Sequence, residues 1–149
     1  MKITILTDST SSWYIPFGNQ LCKELLSLGH NVIYVHNSDH IEKGDICFLL
    51  SCVKLVNTEV LSRNVNNIVV HASDLPKGKG FSPLQWQILD GANSICLTLF
   101  EVVEKVDAGP YYFKKELVFD GTELYNELRS KLAVEINKCC VDFVINSFH

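Results

Sequence analysis

Apolar residues fall in short runs separated by polar, glycine- or proline-marked stretches, and the spacing within each run indicates its type. Lys2 to Leu6 reads as a short apolar strand. Asp8 to Ile15 is polar and rich in serine, and Pro16 then opens a helix. Phe17, Leu21, Leu25 and Leu28 recur at helical spacing up to Gly29, a natural stop. Asn31 to His36 alternates and carries β-branched residues, which predicts a second strand. Asp45 to Leu50 is a continuous apolar run, as expected of a strand buried on both faces. Thr58 to Arg63 reads as a short helix and Asn66 to Val70 as the next strand. The stretch from Ala72 to Phe81 holds Pro76, Gly78 and Gly80 and reads as a loop. Ser82 as cap and Pro83 at the first position start a helix through Leu89, which Gly91 ends. Ile95 to Val103 and Tyr111 to Phe119 flank a short turn and are expected to pair antiparallel. Thr122 caps a final helix whose apolar stripe is Leu124, Leu128, Leu132, Ile136, Cys140 and Val144.

The β–α–β–β opening predicts a doubly wound α/β sheet, parallel over its first four strands and extended by an antiparallel strand near residues 111–119. The chain's 149 residues are about one domain's worth, so a single domain over residues 1–149 is expected. With 47% hydrophobic and 20% charged residues, the composition is that of a soluble globular protein. The net charge of −4 and the lack of a basic stripe argue against nucleic acid as a direct partner. The N-terminal apolar run is too short for a signal peptide, and no apolar stretch is long enough to span a bilayer. The six cysteines form no CxxC pair and mostly lie inside apolar runs, so they read as small core residues of a cytoplasmic protein. A reactive Cys52 is disfavoured, because no neighbouring cation is evident to make it a thiolate. His30, His36 and His40 are irregularly spaced and lack acidic or thiol partners, so no metal is expected.

Two polar residues change the picture. His71 directly follows the apolar run Ile68-Val69-Val70, and Asp107 follows the run that ends at Val103. Each stands where a buried strand opens into a loop, and open α/β sheets bind ligands at strand ends. A histidine and a carboxylate brought together there can bind, polarise and deprotonate a substrate. Other features are discounted. Gly78-Lys79-Gly80 fits neither a P-loop nor GxGxxG. Ser73 more naturally bonds local backbone, and Trp86 lies among Leu84 and Leu89 as a packing residue. Trp13 differs, because its serine-rich loop follows the first strand, where doubly wound folds bind ligands.

In order, His71-Ala-Ser-Asp-Leu-Pro76, a glycine-containing loop, Pro83, Gly91, Thr98 and Asp107-Ala-Gly-Pro110 resemble the formyltransferase family over about residues 66–121. This family includes methionyl-tRNA, glycinamide ribonucleotide and sugar N-formyltransferases. The resemblance implies a Rossmann-like formyltransferase fold and transfer of a formyl group from N10-formyltetrahydrofolate to an amine. It implies that His71 supports the tetrahedral intermediate, and that Asp107 orients His71 or accepts a proton through water. An amine attacking a formyl carbon creates an oxyanion and an ammonium, so a protonated imidazole and a carboxylate suit the two charges. The segment Leu50 to Val56 resembles the loop that receives the pterin, with Lys54, Leu55 and Val56 mapping to it. Val103, Glu104 and Val106 map to the wall before Asp107. Plain core packing is the competing reading for Leu55 and Val56.

One departure bears on activity. The family's Asn two residues before the His falls on Val69, which cannot donate a hydrogen bond. Losing such a donor costs roughly a hundredfold or more in rate. Asn67, Ser11, Ser12 and Ser51 are the alternatives, and the sequence does not choose among them. The first loop, with Ser11, Ser12 and Trp13, looks more like that of the amino-sugar enzymes. The chain ends soon after its final helix, which, with the acidic balance, disfavours tRNA. The expected acceptor is therefore an amino sugar or sugar nucleotide. The alternatives are a formyltetrahydrofolate hydrolase or a catalytically weakened folate or nucleotide binder. Neither nucleic acid nor membrane is an expected partner, and a homodimer is left open.

Overall fold

The computed structural model describes residues 1–71, 94–102, 111–118 and 125–147. One sheet contains β1 (Lys2–Leu6), β2 (Asn31–Val35), β3 (Gly44–Leu49), β4 (Asn64–His71), β5 (Ser94–Glu101) and β6 (Tyr111–Val118). Their order is β2-β1-β3-β4-β5-β6. The first four strands are parallel, β5 pairs antiparallel with β4, and β6 pairs antiparallel with β5. The expected α/β sheet with an antiparallel extension is present. Its reversal of sense falls at β5, so β6 runs with the first four strands again.

Alternation along the strands divides the apolar side chains between two faces. Ile3, Ile5, Ile46, Phe48 and Ile68 pack in one core with Leu21 and Leu25 of helix α1 (Ile15–Ser27). Leu128, Leu132, Ile136 and Cys140 of helix α3 (Tyr125–Ser147) close that same core. Leu6, Cys47 and Leu49 point the other way and pack with Ile41 and with Val60 of the short helix α2 (Thr58–Leu61). Burial on both faces is why these strands read as nearly unbroken apolar runs.

Helix ends follow local chemistry. Pro16 lies in the first turn of α1, where its missing N–H costs nothing. At the other end Gly29 has φ of 94°, His30 N–H donates to Leu25 O and Gly29 N–H to Leu26 O. That is a Schellman stop, and it turns the chain before Leu28 can reach the core. Leu28, expected in the apolar stripe, is instead 47% exposed. α2 is capped by the Asn57 side chain, which accepts from Val60 N–H at 3.0 Å. Fully buried Tyr14 donates to Asn137 Oδ1, and Asn137 Nδ2 donates to Phe17 O at 3.0 Å, tying α1 to α3. The helix expected over residues 82–89 and the cap at Thr122 lie outside the described residues.

Candidate active site

β1 sits between β2 and β3, so the chain leaves it on one side and returns on the other. The carboxyl ends of β1 and β3 therefore flank a switch point, where doubly wound sheets open a crevice. Polar groups at the end of β1 hold the end of β3 in place. Leu50 N–H donates to Leu6 O at 2.9 Å, and the Thr7 hydroxyl donates to Leu50 O at 2.8 Å. The Asp8 carboxylate accepts from Val53 N–H at 3.0 and 3.1 Å and from Lys54 N–H at 2.7 Å. Ser51, between these anchors, adopts φ of 56°, a left-handed conformation uncommon outside glycine. Its hydroxyl lies 3.1 Å from that of Ser12, so the pair bridges the crevice. A groove of about 130 Å³ lies between the end of β2 and residues 54–56, with Asp8, His36, Ser38, Lys54 and Leu55 among its lining and without Ser12, Ser51 or His71. His36 Nδ1 lies 2.9 Å from the Thr7 carbonyl, which can only accept, so Nδ1 carries the proton.

His71 is the last residue of β4 and only 7% exposed. It pairs with fully buried Thr98 of β5, and its ring meets the Phe100 ring edge-on at 6.2 Å between centroids. Leu49 pairs with Val69, so the end of β3 lies beside β4 two residues before His71. Val69 shares the His71 face and packs at the margin of the Leu6–Leu49 core. Of the alternative donors, Asn67 is committed elsewhere, because its amide donates to Leu61 O at 2.7 Å. Ser11 is exposed and bonds Ser9. Ser12 and Ser51 remain beside the crevice.

The carboxyl ends of β4 and β5 do not meet, because β5 is antiparallel. It leaves the sheet at Glu101, opposite Ile68 and three positions before His71. That is roughly 10 Å below His71, at ~3.3 Å per residue. The six residues from Glu101 to Asp107 reach up to roughly 20 Å when extended, enough to climb back. Asp107 itself, with Val103, Glu104 and Val106, lies outside the described residues.

Leu55 is 69% exposed and Val53 58%, so core packing does not account for either. Val56 does touch the Leu6–Leu49 core, and Lys54 is exposed. Trp13 is partly buried, edge-on to Tyr14 and Phe17, with the Arg129 guanidinium 5.3 Å from its ring centre. Much of its surface is thus taken up by packing. Burial pushes the Cys52 thiol up to about 12, with Asp8 adding to the shift, consistent with an unreactive cysteine. Sequence reasoning missed Asp8 as part of the site. Its signal was a lone acid at the end of the first strand, beside the switch point. Among the described residues there is no group of side chains suited to a metal ion, and no helix long and apolar enough to cross a membrane.

This arrangement has relatives. The chain is 32% identical over 97 residues to methionyl-tRNA formyltransferase of Thermotoga maritima, covering 64% of this chain and 31% of that one. It is 30% identical over 100 residues to the Thermotoga neapolitana enzyme, covering 66% and 32%. The chain thus spans about a third of the length of these curated relatives. In fold it is similar to methionyl-tRNA formyltransferase from Clostridium thermocellum, with TM-score 0.80 and 24% identity over 99% of this chain and 66% of that chain. It is also similar to the formyltransferase PseJ from Anoxybacillus kamchatkensis, solved with UDP-4,6-dideoxy-4-formamido-L-AltNAc and tetrahydrofolate. There the TM-score is 0.70 and the identity 18%, over 96% of this chain and 74% of that chain. A family model described as Formyl transferase matches residues 35–144, a stretch that takes in the crevice loop, His71 and Asp107. On that match the chain belongs to the formyl transferase family.

Proposed function

We propose that this chain transfers a formyl group from N10-formyltetrahydrofolate to an amine, with an amino sugar or sugar nucleotide as the acceptor. The observation that carries the reading is the placement of His71. It is a nearly buried imidazole at the end of β4, two residues past the pairing with the end of β3 and inside the matched stretch. The loop fits a flat, partly apolar ligand, since it presents Val53 and Leu55 to solvent. Lys54, Leu55 and Val56 would hold the folate, together with Val103, Glu104 and Val106. Asp8 already takes the N–H groups of Val53 and Lys54. Those two N–H groups are therefore not offered to a ligand.

In the reaction the amine nitrogen bonds to the formyl carbon, and the carbonyl oxygen becomes an oxyanion. Protonated His71 donates to that oxygen. Asp107 orients the imidazolium and accepts, through water, the proton the ammonium must lose; the carbonyl then re-forms as the bond from the formyl carbon to N10 breaks, N10 takes the electron pair and a proton, and tetrahydrofolate leaves. With valine at position 69, the second donor to the oxyanion comes from the Ser12–Ser51 hydroxyl pair. The net charge of −4 favours a small acceptor over a polyanion, and Ser11, Ser12 and Trp13 would contact it.

Methionyl-tRNA is the second reading, favoured by the names of the relatives at 30 and 32% identity. Val69 favours a third, in which formyl passes to water or turnover is lost. One assay separates them. The protein is incubated with N10-formyltetrahydrofolate and, in turn, amino sugars, amino-sugar nucleotides, methionyl-tRNA or no amine, with formylated product and formate both measured. Product on an amino sugar is expected. Product on methionyl-tRNA alone would replace the acceptor. Formate release indifferent to amine would mean a hydrolase, and folate binding without turnover a binder.

A further inference from the structure

The crevice loop carries an unusual combination. Val53 and Leu55 are apolar yet face solvent, and Ser51 before them is in a left-handed conformation. Left alone, such a loop would turn its apolar side chains inward. Asp8 is what holds it. Only 9% exposed, its carboxylate receives the N–H groups of two successive residues, Val53 and Lys54, from across the crevice. Charge-assisted bonds of this kind are roughly twice as strong as neutral ones. The Cys52 thiol adds a weaker contact to Leu6 O at 3.3 Å.

We infer that Asp8 is a positioning residue for the folate, clamping the loop at residues 52–56 so that its apolar side chains form a preformed wall. This rests on the folate reading above. Asp8 does not touch the reacting atoms; it acts through the loop. Preorganisation of this kind lowers the ordering cost of binding without changing the chemical step. Ser51 follows Leu50, which stays anchored to Leu6 and Thr7 without Asp8, so the donor's KM should move while kcat stays.

The test compares the parent with Asp8→Ala and Asp8→Asn in the full chain, measuring tetrahydrofolate affinity by calorimetry and formyl transfer under steady state. Asp8→Ala should raise the folate Kd and the donor's KM by about tenfold or more, with kcat within about threefold of the parent. Asp8→Asn keeps one acceptor oxygen and should fall between. Unchanged folate affinity in both variants would overturn the clamp while leaving formyl transfer by the parent intact. Failure of the parent to bind tetrahydrofolate would overturn the folate reading and the clamp's role with it. If Asp8→Ala does not fold, the near-isosteric Asp8→Asn decides alone: a rise of about threefold or more supports the clamp, and no rise refutes it.

Discussion

At the scale of single residues, the unsettled position is Val69. It pairs with Leu49 on one side and Phe100 on the other and is half-buried at the margin of a small core. Val69→Asn places an amide two residues before His71 on the same face. We expect turnover to be preserved or raised, because a donor is restored near the oxyanion. Thermal unfolding should show a loss of about 1–3 kcal/mol, from polar burial beside Leu49. A loss of turnover in a folded variant would mean that the added amide disturbs the oxyanion site instead of adding a donor to it. Glu101 offers a pH-dependent test. Its half-buried carboxylate accepts from Asn67 N–H at 2.9 Å and from the Asn66 amide at 3.3 Å. Burial raises its pKa, and these two bonds pull it part of the way back. A carboxyl with a raised folded-state pKa stabilises the fold below its unfolded pKa, and that contribution fades as pH rises through the folded value. Glu101→Gln, neutral throughout, should therefore gain melting temperature relative to the parent as pH rises above the unfolded carboxyl value. An identical pH profile would show that the carboxyl is solvated in the folded state.

At the scale of elements, α1 lies close against β2 because Gly18 has no side chain. A methyl there would overlap the Tyr34 hydroxyl, which is bonded to Thr7 at 2.8 Å. Gly18→Ala should lower the urea midpoint by the equivalent of about 1–3 kcal/mol with an unchanged slope. A midpoint equal to the parent's would mean that Tyr34 swings aside freely. The elements were mostly legible in the sequence, for identifiable reasons. Two-sided burial writes β1, β3 and β4 as apolar runs, and proline and glycine mark the ends of α1. What the pattern could not show was sense and reach. Nothing in an apolar run such as Ile95 to Val103 says which way it points. The antiparallel course of β5, and with it the separation of Glu101 from His71, came only from the pairing. Likewise α2 ends at Leu61, short of the expected Arg63. The Arg63 guanidinium turns back to the carbonyls of Asp39 and Ile41 at 3.0 and 2.8 Å.

At the scale of the whole molecule, the site follows from the order of the strands. The connections from β1 and β3 run over opposite faces of the sheet, and Asp8 ties the loop after β3 to the end of β1. His71, found from its place after an apolar run, ends β4, the strand beside β3. Asp8, which lies far from it in sequence, holds the loop's shape. Sequence reasoning found the histidine because a polar residue ending a buried strand is conspicuous. It missed the carboxylate because Asp8 bonds backbone N–H groups, and backbone partners leave no side-chain signature in a sequence. The central claim is that His71 works on the formyl group and does not merely complete β4. The most direct measurement is single-turnover formyl transfer from N10-formyltetrahydrofolate by the parent and by His71→Ala, with tetrahydrofolate affinity measured in both. The account predicts a rate lowered about a hundredfold or more at nearly unchanged folate affinity. Transfer by His71→Ala as fast as by the parent would contradict it.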